Sequence, residues 1–235
     1  MKLAYAVPLV DDCPGKLLMY HLRAVADASR LVDEVKMVVP IGVFPWDRAR
    51  NIAVSNALTL GCDWLWFVDA DTAVPPGAFE LLMESMDKAP VISGHYVRRG
   101  WPYTSVWSKR VDGLKGETVY FQTTATEGVH EINTTGMGCA LINLRWCKEN
   151  LEFPWFYYKS ALGDDQAVME DLFFCDKVLD AGGKILGDAR VRCRHLMAPE
   201  FVDDDNMLEL RKKNIKDRNE KYTAELLSEQ GCNDE

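Results

Sequence analysis

The chain has 235 residues, of which 48% are hydrophobic and 27% charged, so it is long enough to bury a sizeable core in one globular domain. Its net charge of −9 disfavours general nucleic-acid binding, which relies on broad positive surfaces. The seven cysteines form no CxxC pair, and their odd number argues against a zinc ribbon or a disulfide framework. We therefore expect a protein of a reducing compartment that has no nucleic-acid partner and grips any phosphate through local contacts.

The hydropathy pattern favours a cytoplasmic location. The first residues, MKLAYAVPLVDD, lack the long apolar core of a signal peptide. No stretch approaches the roughly 18 apolar residues of a membrane span. A peripheral contact with an anionic membrane through basic residues of the C-terminal tail is one interpretation, and a solvated helix face is the other. These basic residues are Lys212, Lys213, Lys216 and Arg218.

In the first half of the chain, strand patterns alternate with helix patterns. The predicted elements are strand 3–7, helix 17–31, strand 35–39, helix 48–60, strand 64–68 and helix 76–86. Gly61 provides a stop for the second helix, and a proline lies near the start of the third. This alternation predicts an open, largely parallel sheet.

The second half begins with a different composition. Residues 96–110 and 118–122 are rich in aromatic and β-branched side chains, which predicts a smaller β-rich region. The later predicted elements are strand 139–144, helix 165–179, strand 190–194 and a charged helical tail from Met207. We therefore predict an α/β fold in which a Rossmann-like mixed sheet is flanked by helices. One domain would occupy residues 1–200, with a charged helical tail at 201–235.

The run CDWLWFVDADT places two carboxylates, Asp69 and Asp71, directly after an apolar strand. On an extended backbone residues i and i+2 point to the same side, so both would project together where the strand leaves the sheet. Ligands of α/β folds bind at that edge, and Mg²⁺ typically takes one or two carboxylates together with water and phosphate oxygens. Asp203 and Asp205 have the same spacing but no preceding strand. The context therefore favours the first pair as a metal and diphosphate site.

Two acidic residues, Glu170 and Asp171, lie in the predicted late helix. Asp171 shares a stripe with Cys175 and Val178, at i, i+4 and i+7, whereas Glu170 faces elsewhere. A carboxylate near apolar neighbours at the edge of a cleft has a raised pKa, which suits a general base that accepts a hydroxyl proton. The alternative is that both acids occupy the first helical turns because negative charge favours the helix dipole. Asp171 is the better candidate for a base.

The segment DARVRCRHL places His195 at the end of a predicted strand, on the same face as Val191 and Cys193. An inward histidine of this kind is commonly a hydrogen-bonded core residue. His195 is also a candidate third ligand for Mn²⁺ or Mg²⁺ beside the two carboxylates, since imidazole is acceptable to Mn²⁺. The sequence leaves both interpretations open.

Two further segments have the composition of ligand contacts. WDRARN places Arg48 and Arg50 at the start of a helix, where arginine matches phosphate oxygens or is simply a solvated charge. TTGMG contains Gly136 and Gly138, which permit a close approach of the backbone to a ligand or form a turn before the next strand.

Taken in order, these segments resemble the nucleotide-sugar-dependent glycosyltransferases of the A-type fold, especially the family-2-like enzymes. The resemblance spans roughly residues 3–197. The segments that carry it are KLAYAVPLV, DRARN, FVDAD as the DxD motif, TTGMGCALI as the glycine-containing loop, MEDLFF as the xED motif and His195 as the C-terminal histidine.

The resemblance implies a role for each candidate residue. Asp71 and His195 would ligate the metal, and Asp69 would contact metal-bound water or the donor ribose. Asp171 would be the base. Pro8, Arg48 and Arg50 would lie along the nucleotide, and Gly136 to Gly138 would border the sugar and acceptor pocket.

The leading functional hypothesis is a glycosyltransferase that depends on Mn²⁺ or Mg²⁺. It would move a sugar from a UDP- or GDP-linked donor to a hydroxyl of a carbohydrate or glycoconjugate acceptor, with inversion. One alternative is a sugar nucleotidyltransferase, but AVPLVDDCPGK does not supply the glycine-rich arginine and lysine signature typical of that class. The other alternative is a non-catalytic protein that binds nucleotide sugars or carbohydrates.

Overall fold

The computed structural model describes residues 1–10, 13–112, 118–123, 125, 127–158, 168–197, 200–203 and 205–216. The strands are β1 (Lys2–Ala6), β2 (Glu34–Val38), β3 (Trp64–Val68), β4 (Thr72–Ala73), β5 (Val91–His95), β6 (Ser108–Asp112), β7 (Thr118–Gln122), β8 (Val129–Ile132), β9 (Cys139–Asn143), β10 (Ile185–Arg192), β11 (Arg194–Met197) and β12 (Glu200–Val202). The helices are α1 (Gly15–Ala28), α2 (Trp46–Thr59), α3 (Ala78–Met83), α4 (Leu144–Asn150) and α5 (Glu170–Asp180). Residues 207–216 are also helical and are called the C-terminal helix below.

A seven-stranded mixed sheet organises the chain, in the order β2-β1-β3-β9-β5-β10-β8. β1, β2 and β3 are parallel to one another, and so are β5 and β10. β9 runs antiparallel to both β3 and β5, and β8 runs antiparallel to β10. The predicted α/β fold with a mixed sheet is therefore confirmed, although the sheet is less parallel than the alternation in the first half of the chain indicates.

β3 is the central strand that delivers the DxD motif. All five of its residues are buried, because the sheet has cover on both faces and β3 has neighbours on both sides. Since β9 is antiparallel, its first residue, Cys139, pairs with the last residue of β3, Val68. The end of β3 and the start of β9 therefore lie at the same edge, which brings the TTGMG segment next to the DxD motif.

The structure corrects the predicted strand at residues 190–194. β10 ends at Arg192, after a register irregularity against β5. β11 then pairs with β4 and β12 in a separate three-stranded sheet. His195 consequently belongs to the small sheet and lies one residue beyond the predicted strand.

Two other predicted segments differ from the structure. Most of residues 96–107 form an irregular loop, and the pairing of β6 with β7 begins only at Ser108. In the described residues the late helix begins at Glu170, with Met169 as its N-cap residue. Asp165, the predicted helix start, lies outside the described residues.

The C-terminal helix packs against the irregular loop. Met207 and Leu210 contact a small apolar cluster of Val97, Tyr103 and Val202. This helix begins at Met207, and Arg218 lies outside the described residues.

Two exclusions made from the sequence can be compared with the structure. The six cysteines of the described residues are free, and Cys232 lies outside them. None of the helices in the described part of the chain combines the length and apolar character that a bilayer crossing requires.

Gly94→Ala should destabilise the fold by about 1–3 kcal/mol, the usual cost of overpacking a core. A Cβ at residue 94 would lie 2.8 Å from Val191 Cγ1 and 2.9 Å from Cys139 Sγ, between three adjacent strands. Gly100→Ala is the matched control, because a Cβ there meets nothing within 4 Å. Urea denaturation of both variants measures the difference, and equal stabilities would contradict this packing.

Candidate active site

Asp69 and Asp71 lie just past the end of β3, where the backbone is tied to two other segments. Asp69 N donates to Gly138 O at 3.2 Å, and Leu196 N donates to Asp71 O at 2.7 Å. The first bond connects the motif to the glycine-containing loop, and the second connects it to β11. The sequence prediction that both aspartates reach one site is consistent with this placement, since both line the same cleft.

A buried arginine holds Asp69. Arg50 is 5% exposed and donates from Nη1 and Nη2 to the two oxygens of Asp69, each at 3.0 Å. Its Nε donates to Glu170 Oε1 at 3.3 Å. Burial opposes the charge on Arg50, but the Asp69 carboxylate, followed by Glu170, raises its pKa overall. Arg50 therefore joins α2, the end of β3 and the start of α5 through charge-assisted bonds.

The Asp71 carboxylate faces two other side chains. Its Oδ2 lies 3.3 Å from His195 Nε2 and accepts a hydrogen bond from Arg99 Nη1 at 2.6 Å. Burial would raise the pKa of Asp71, but the hydrogen bond and charge of His195, together with Arg99, lower it. Asp71 therefore stays ionised, as a metal-binding carboxylate must be.

The orientation of His195 is set by its other ring nitrogen. Nδ1 lies 3.0 Å from the carbonyl oxygen of Val97, which can only accept a hydrogen bond. Nδ1 therefore carries a proton and Nε2 faces Asp71, to which it donates a hydrogen bond when protonated and beside which it would offer a lone pair to a cation when deprotonated. Histidine ligands of metals are commonly oriented by such a backbone carbonyl.

Asp71 and His195 fit a divalent cation as a carboxylate and imidazole pair, a donor set suited to Mn²⁺. Asp69 fits less well as a direct ligand, because both of its oxygens accept from Arg50. Among the residues that the structure describes, no three His, Cys, Asp or Glu side chains are grouped closely enough to hold a metal. The arrangement thus offers two direct ligands, and Asp69 remains able to accept from water or a sugar hydroxyl.

Arg48 and Arg50 lie in different places. Arg50 falls on the buried stripe of α2 with Ala53, Val54 and Ala57, at i, i+3, i+4 and i+7. Arg48 is exposed and lines a second cleft of about 440 Å³ together with Asn51 and Phe156. The helical spacing of the alanines and valine was the sequence signal that could have separated the two arginines.

Gly136 and Gly138 both lie against the side chain of Tyr96, which leaves no room for a Cβ at either position. A Cβ at residue 136 would lie 2.3 Å from the Tyr96 hydroxyl, and one at residue 138 would lie 2.7 Å from Tyr96 Cζ. Gly138 N donates to the same hydroxyl at 2.8 Å. Tyr96 therefore holds Gly138 in place, and the Gly138 carbonyl oxygen in turn accepts a hydrogen bond from Asp69 N of the DxD motif. The sequence did not single out Tyr96.

The two acids at the start of α5 have different surroundings, but Glu170 does not face elsewhere as the sequence predicted. Glu170 is 4% exposed, lines the cleft and is held by Arg50, so it does not face away from the body of the protein. Asp171 Oδ2 lies 3.6 Å from the Cβ position of Gly136, beside the glycine-containing loop. Burial, then the charge of Glu170, raises the pKa of Asp171 to about 6. A carboxyl whose pKa is raised towards neutrality suits a group that accepts a proton.

A single cleft of about 470 Å³ is lined by Asp69, Asp71 and the side chains that contact them. Its polar lining consists of Arg50, Asp69, Asp71, Arg99, Glu170 and His195. Its apolar lining consists of Pro8, Leu9, Val10, Pro14, Phe44, Trp46, Ala70 and Met169. Pro8, which the resemblance places along the nucleotide, is one of these lining residues. Phe44, Trp46 and Met169 were missed, because nothing in the sequence separates aromatic and methionine residues of a cleft rim from those of a core.

An acidic pair after the central strand of a mixed sheet, next to a cleft with apolar and charged linings, agrees with the A-type glycosyltransferase fold that the sequence resembles. The profile described as glycosyl transferase family 2 matches residues 26–151, more than half of the chain. The chain belongs to this family and is a glycosyltransferase, an enzyme that uses a nucleotide-sugar donor and a sugar acceptor. No protein with a curated description matches the chain in sequence.

Two solved structures are similar in fold. The first is A197 from STIV, with a TM-score of 0.63, 16% identity, and coverage of 87% of this chain and 91% of that one. The second is GalNAc-T7 with UDP, GalNAc and Mn²⁺, with a TM-score of 0.52 and 15% identity. That match covers 83% of this chain and 44% of the other. At these identities the similarity shows the fold alone.

Asp171→Asn should stabilise the protein more at about pH 7.5 than at about pH 4.5. Between its ordinary value of 3.8 and about 6, the native state binds a proton at Asp171 that the unfolded chain has lost. Wild-type stability therefore falls as pH rises through this window, and the full cost is present above it. Asparagine cannot ionise and avoids that cost.

Chemical denaturation of the wild type and Asp171→Asn at the two pH values measures this difference. Asp87→Asn, which changes an exposed aspartate, is the matched control. A stability difference between Asp171→Asn and wild type that does not depend on pH would contradict the raised pKa.

Proposed function

We propose that the enzyme transfers a sugar from a UDP- or GDP-linked donor to an acceptor hydroxyl, with Mn²⁺ or Mg²⁺ and with inversion. The observation that carries the proposal is the meeting of Asp71, His195 and the Arg50-held Asp69 in one cleft. A nucleoside diphosphate has a flat aromatic base, whose faces pack on apolar side chains, and an anionic diphosphate. The cleft supplies apolar side chains for the base and a charged region for the diphosphate.

The donor would occupy the cleft between Pro8 and the two aspartates. Pro8, Phe44 and Trp46 provide apolar surface for the base and ribose. Arg50 fixes the orientation of the Asp69 carboxylate by donating to both of its oxygens. The remaining lone pairs of these oxygens can accept from a ribose hydroxyl or a metal-bound water. In this proposal Arg50 positions Asp69, since three of its five N–H groups are already used.

Asp71 and His195 would hold the cation. A divalent ion at this position supplies charge stabilisation to the departing diphosphate. The role of the protein is to keep Asp71 ionised and His195 Nε2 available, through the contacts of Arg99 and of the Val97 carbonyl. GalNAc-T7, a structural neighbour, is described with UDP and Mn²⁺, which makes these the first ligands to test.

Asp171 would be the general base. Its pKa of about 6 is closer to neutrality than that of an ordinary aspartate, which improves its acceptance of a hydroxyl proton. Its neighbour Glu170 already accepts a hydrogen bond from the buried Arg50 and would act as a positioning group. The acceptor would approach Asp171 along the glycine-containing loop, close to Gly136.

Removal of the cation or of its carboxylate ligand should abolish donor binding. Asp71→Asn keeps the size of the side chain but removes the charge that binds the cation, so UDP should no longer bind in a Mn²⁺-dependent manner. Calorimetric titration of UDP with Mn²⁺, and with EDTA in place of Mn²⁺, measures this dependence. His195→Gln should raise the Mn²⁺ concentration that is needed.

Asp205→Asn, which changes the exposed aspartate of the second DxD-like pair, is the matched control. UDP binding by wild type that is unaffected by EDTA would remove the metal from the proposal.

Asp171→Asn should bind UDP and Mn²⁺ nearly as wild type does, yet transfer sugar about 10²-fold or more slowly, the usual scale for general-base catalysis. A panel of nucleotide sugars and acceptors, followed by nucleoside diphosphate release, identifies the substrate for this comparison. NMR of the glycosidic product then gives the anomeric configuration. Retention of configuration, or wild-type transfer by Asp171→Asn, would refute the assignment of the base.

A further inference from the structure

The loop between β5 and β6 brings Arg99 to Asp71. Val97 and Ser105 form an isolated antiparallel bridge, and Arg98 N donates to Thr104 O at 2.9 Å. Residues 97–105 therefore form a narrow projection, called the arginine loop below, with Arg99 near its tip. The same loop supplies the Val97 carbonyl that orients His195. Both side chains that contact Asp71 thus depend on one loop.

Arg99 donates a hydrogen bond to the Asp71 oxygen that faces the proposed cation position. Its Nη1 lies 2.6 Å from Asp71 Oδ2, the same oxygen that lies 3.3 Å from His195 Nε2. Two cations that share one carboxylate oxygen repel each other, so a divalent ion held by Asp71 and His195 has to displace the guanidinium. The side chain of Arg99 is 57% exposed, which leaves it free to move into the cleft that it lines.

We infer that Arg99 couples cation binding to donor binding, because its guanidinium leaves Asp71 and pairs with the diphosphate of the donor. This inference rests on the proposed function. In the absence of donor, Arg99 neutralises Asp71 and opposes the cation. When a nucleoside diphosphate is present, the guanidinium pairs with its phosphate oxygens, for which its geometry is well suited, and releases Asp71. Cation and nucleotide then bind with positive coupling, each favouring the other.

The C-terminal helix braces the arginine loop from its other side. Arg211 Nη2 donates to Tyr103 O at 2.8 Å, and Asn214 Nδ2 donates to the Tyr103 hydroxyl at 2.9 Å. Met207 and Leu210 pack on the cluster that includes Tyr103. The helix therefore sets how firmly the loop presents Arg99, although it does not itself line the donor cleft as described.

The test is a pair of calorimetric titrations on the full chain, with Mn²⁺ alone and with UDP at saturating Mn²⁺. Arg99→Gln should bind Mn²⁺ alone about threefold more tightly, the scale of an exposed ion pair that no longer competes. The same variant should bind UDP about tenfold more weakly, because one charged partner of the diphosphate is lost. Arg145→Gln removes an equivalent charge from an 85% exposed side chain on α4 and is the matched control.

The opposite signs of the two effects distinguish this inference from simpler roles. If Arg99→Gln weakens Mn²⁺ binding or leaves it unchanged, the inference is overturned while the metal site stands. If neither wild type nor Arg99→Gln binds Mn²⁺, and UDP binding ignores Mn²⁺, the proposed metal-dependent function fails together with the inference.

A second pair of variants tests the brace. Arg211→Ala should weaken UDP binding in the same direction as Arg99→Gln but by less, since it loosens the loop while the Arg99 side chain is retained. Lys212→Ala, on the same helix and paired only with Glu209 in the described contacts, is its control. Equal effects of the two alanine variants would overturn the role of the helix.

Discussion

The candidate site depends on one buried guanidinium. Arg50 is shielded from water and is neutralised by Asp69 on one side and by Glu170 on the other. Burying such charges is costly, and the loss of one partner from a buried ion pair typically destabilises a protein by about 3–5 kcal/mol. The three residues come from α2, the end of β3 and the start of α5. Their mutual dependence fixes these elements relative to one another, and it also fixes the plane of the Asp69 carboxylate.

A large part of the fold could be predicted from local sequence patterns. Trp64 to Val68 is a continuous apolar run bounded by polar residues, and it is the buried central strand. The second helix was predicted to stop at Gly61, and that glycine has a positive φ of 67°, a conformation common just after a helix. The position of the aspartate pair followed from the strand that precedes it. These features are local, so a single sequence carries them.

The contacts that arrange the site are not local. Arg99 meets Asp71 across 28 residues, and Arg50 meets Glu170 across 120. No pattern in one sequence pairs such residues. The segment that contains His195 was predicted as one strand because its alternation continues through Cys193, whereas the chain changes sheets there. Gly136 and Gly138 suggested a ligand, but the group that excludes a Cβ at both positions is the side chain of Tyr96.

The change of sheet after Arg192 divides the aspartate pair between two structural units. Asp69 is anchored by Arg50 and by the Gly138 carbonyl, which belong to the main sheet and its helices. Asp71 is bonded through its backbone to Leu196 and through its side chain to His195, both on β11 of the small sheet. Ala70 alone separates the two anchors. The distance between the two carboxylates is therefore set by how the small sheet is held against the main one, and a substitution at the junction of the two sheets can alter the metal site without touching either aspartate.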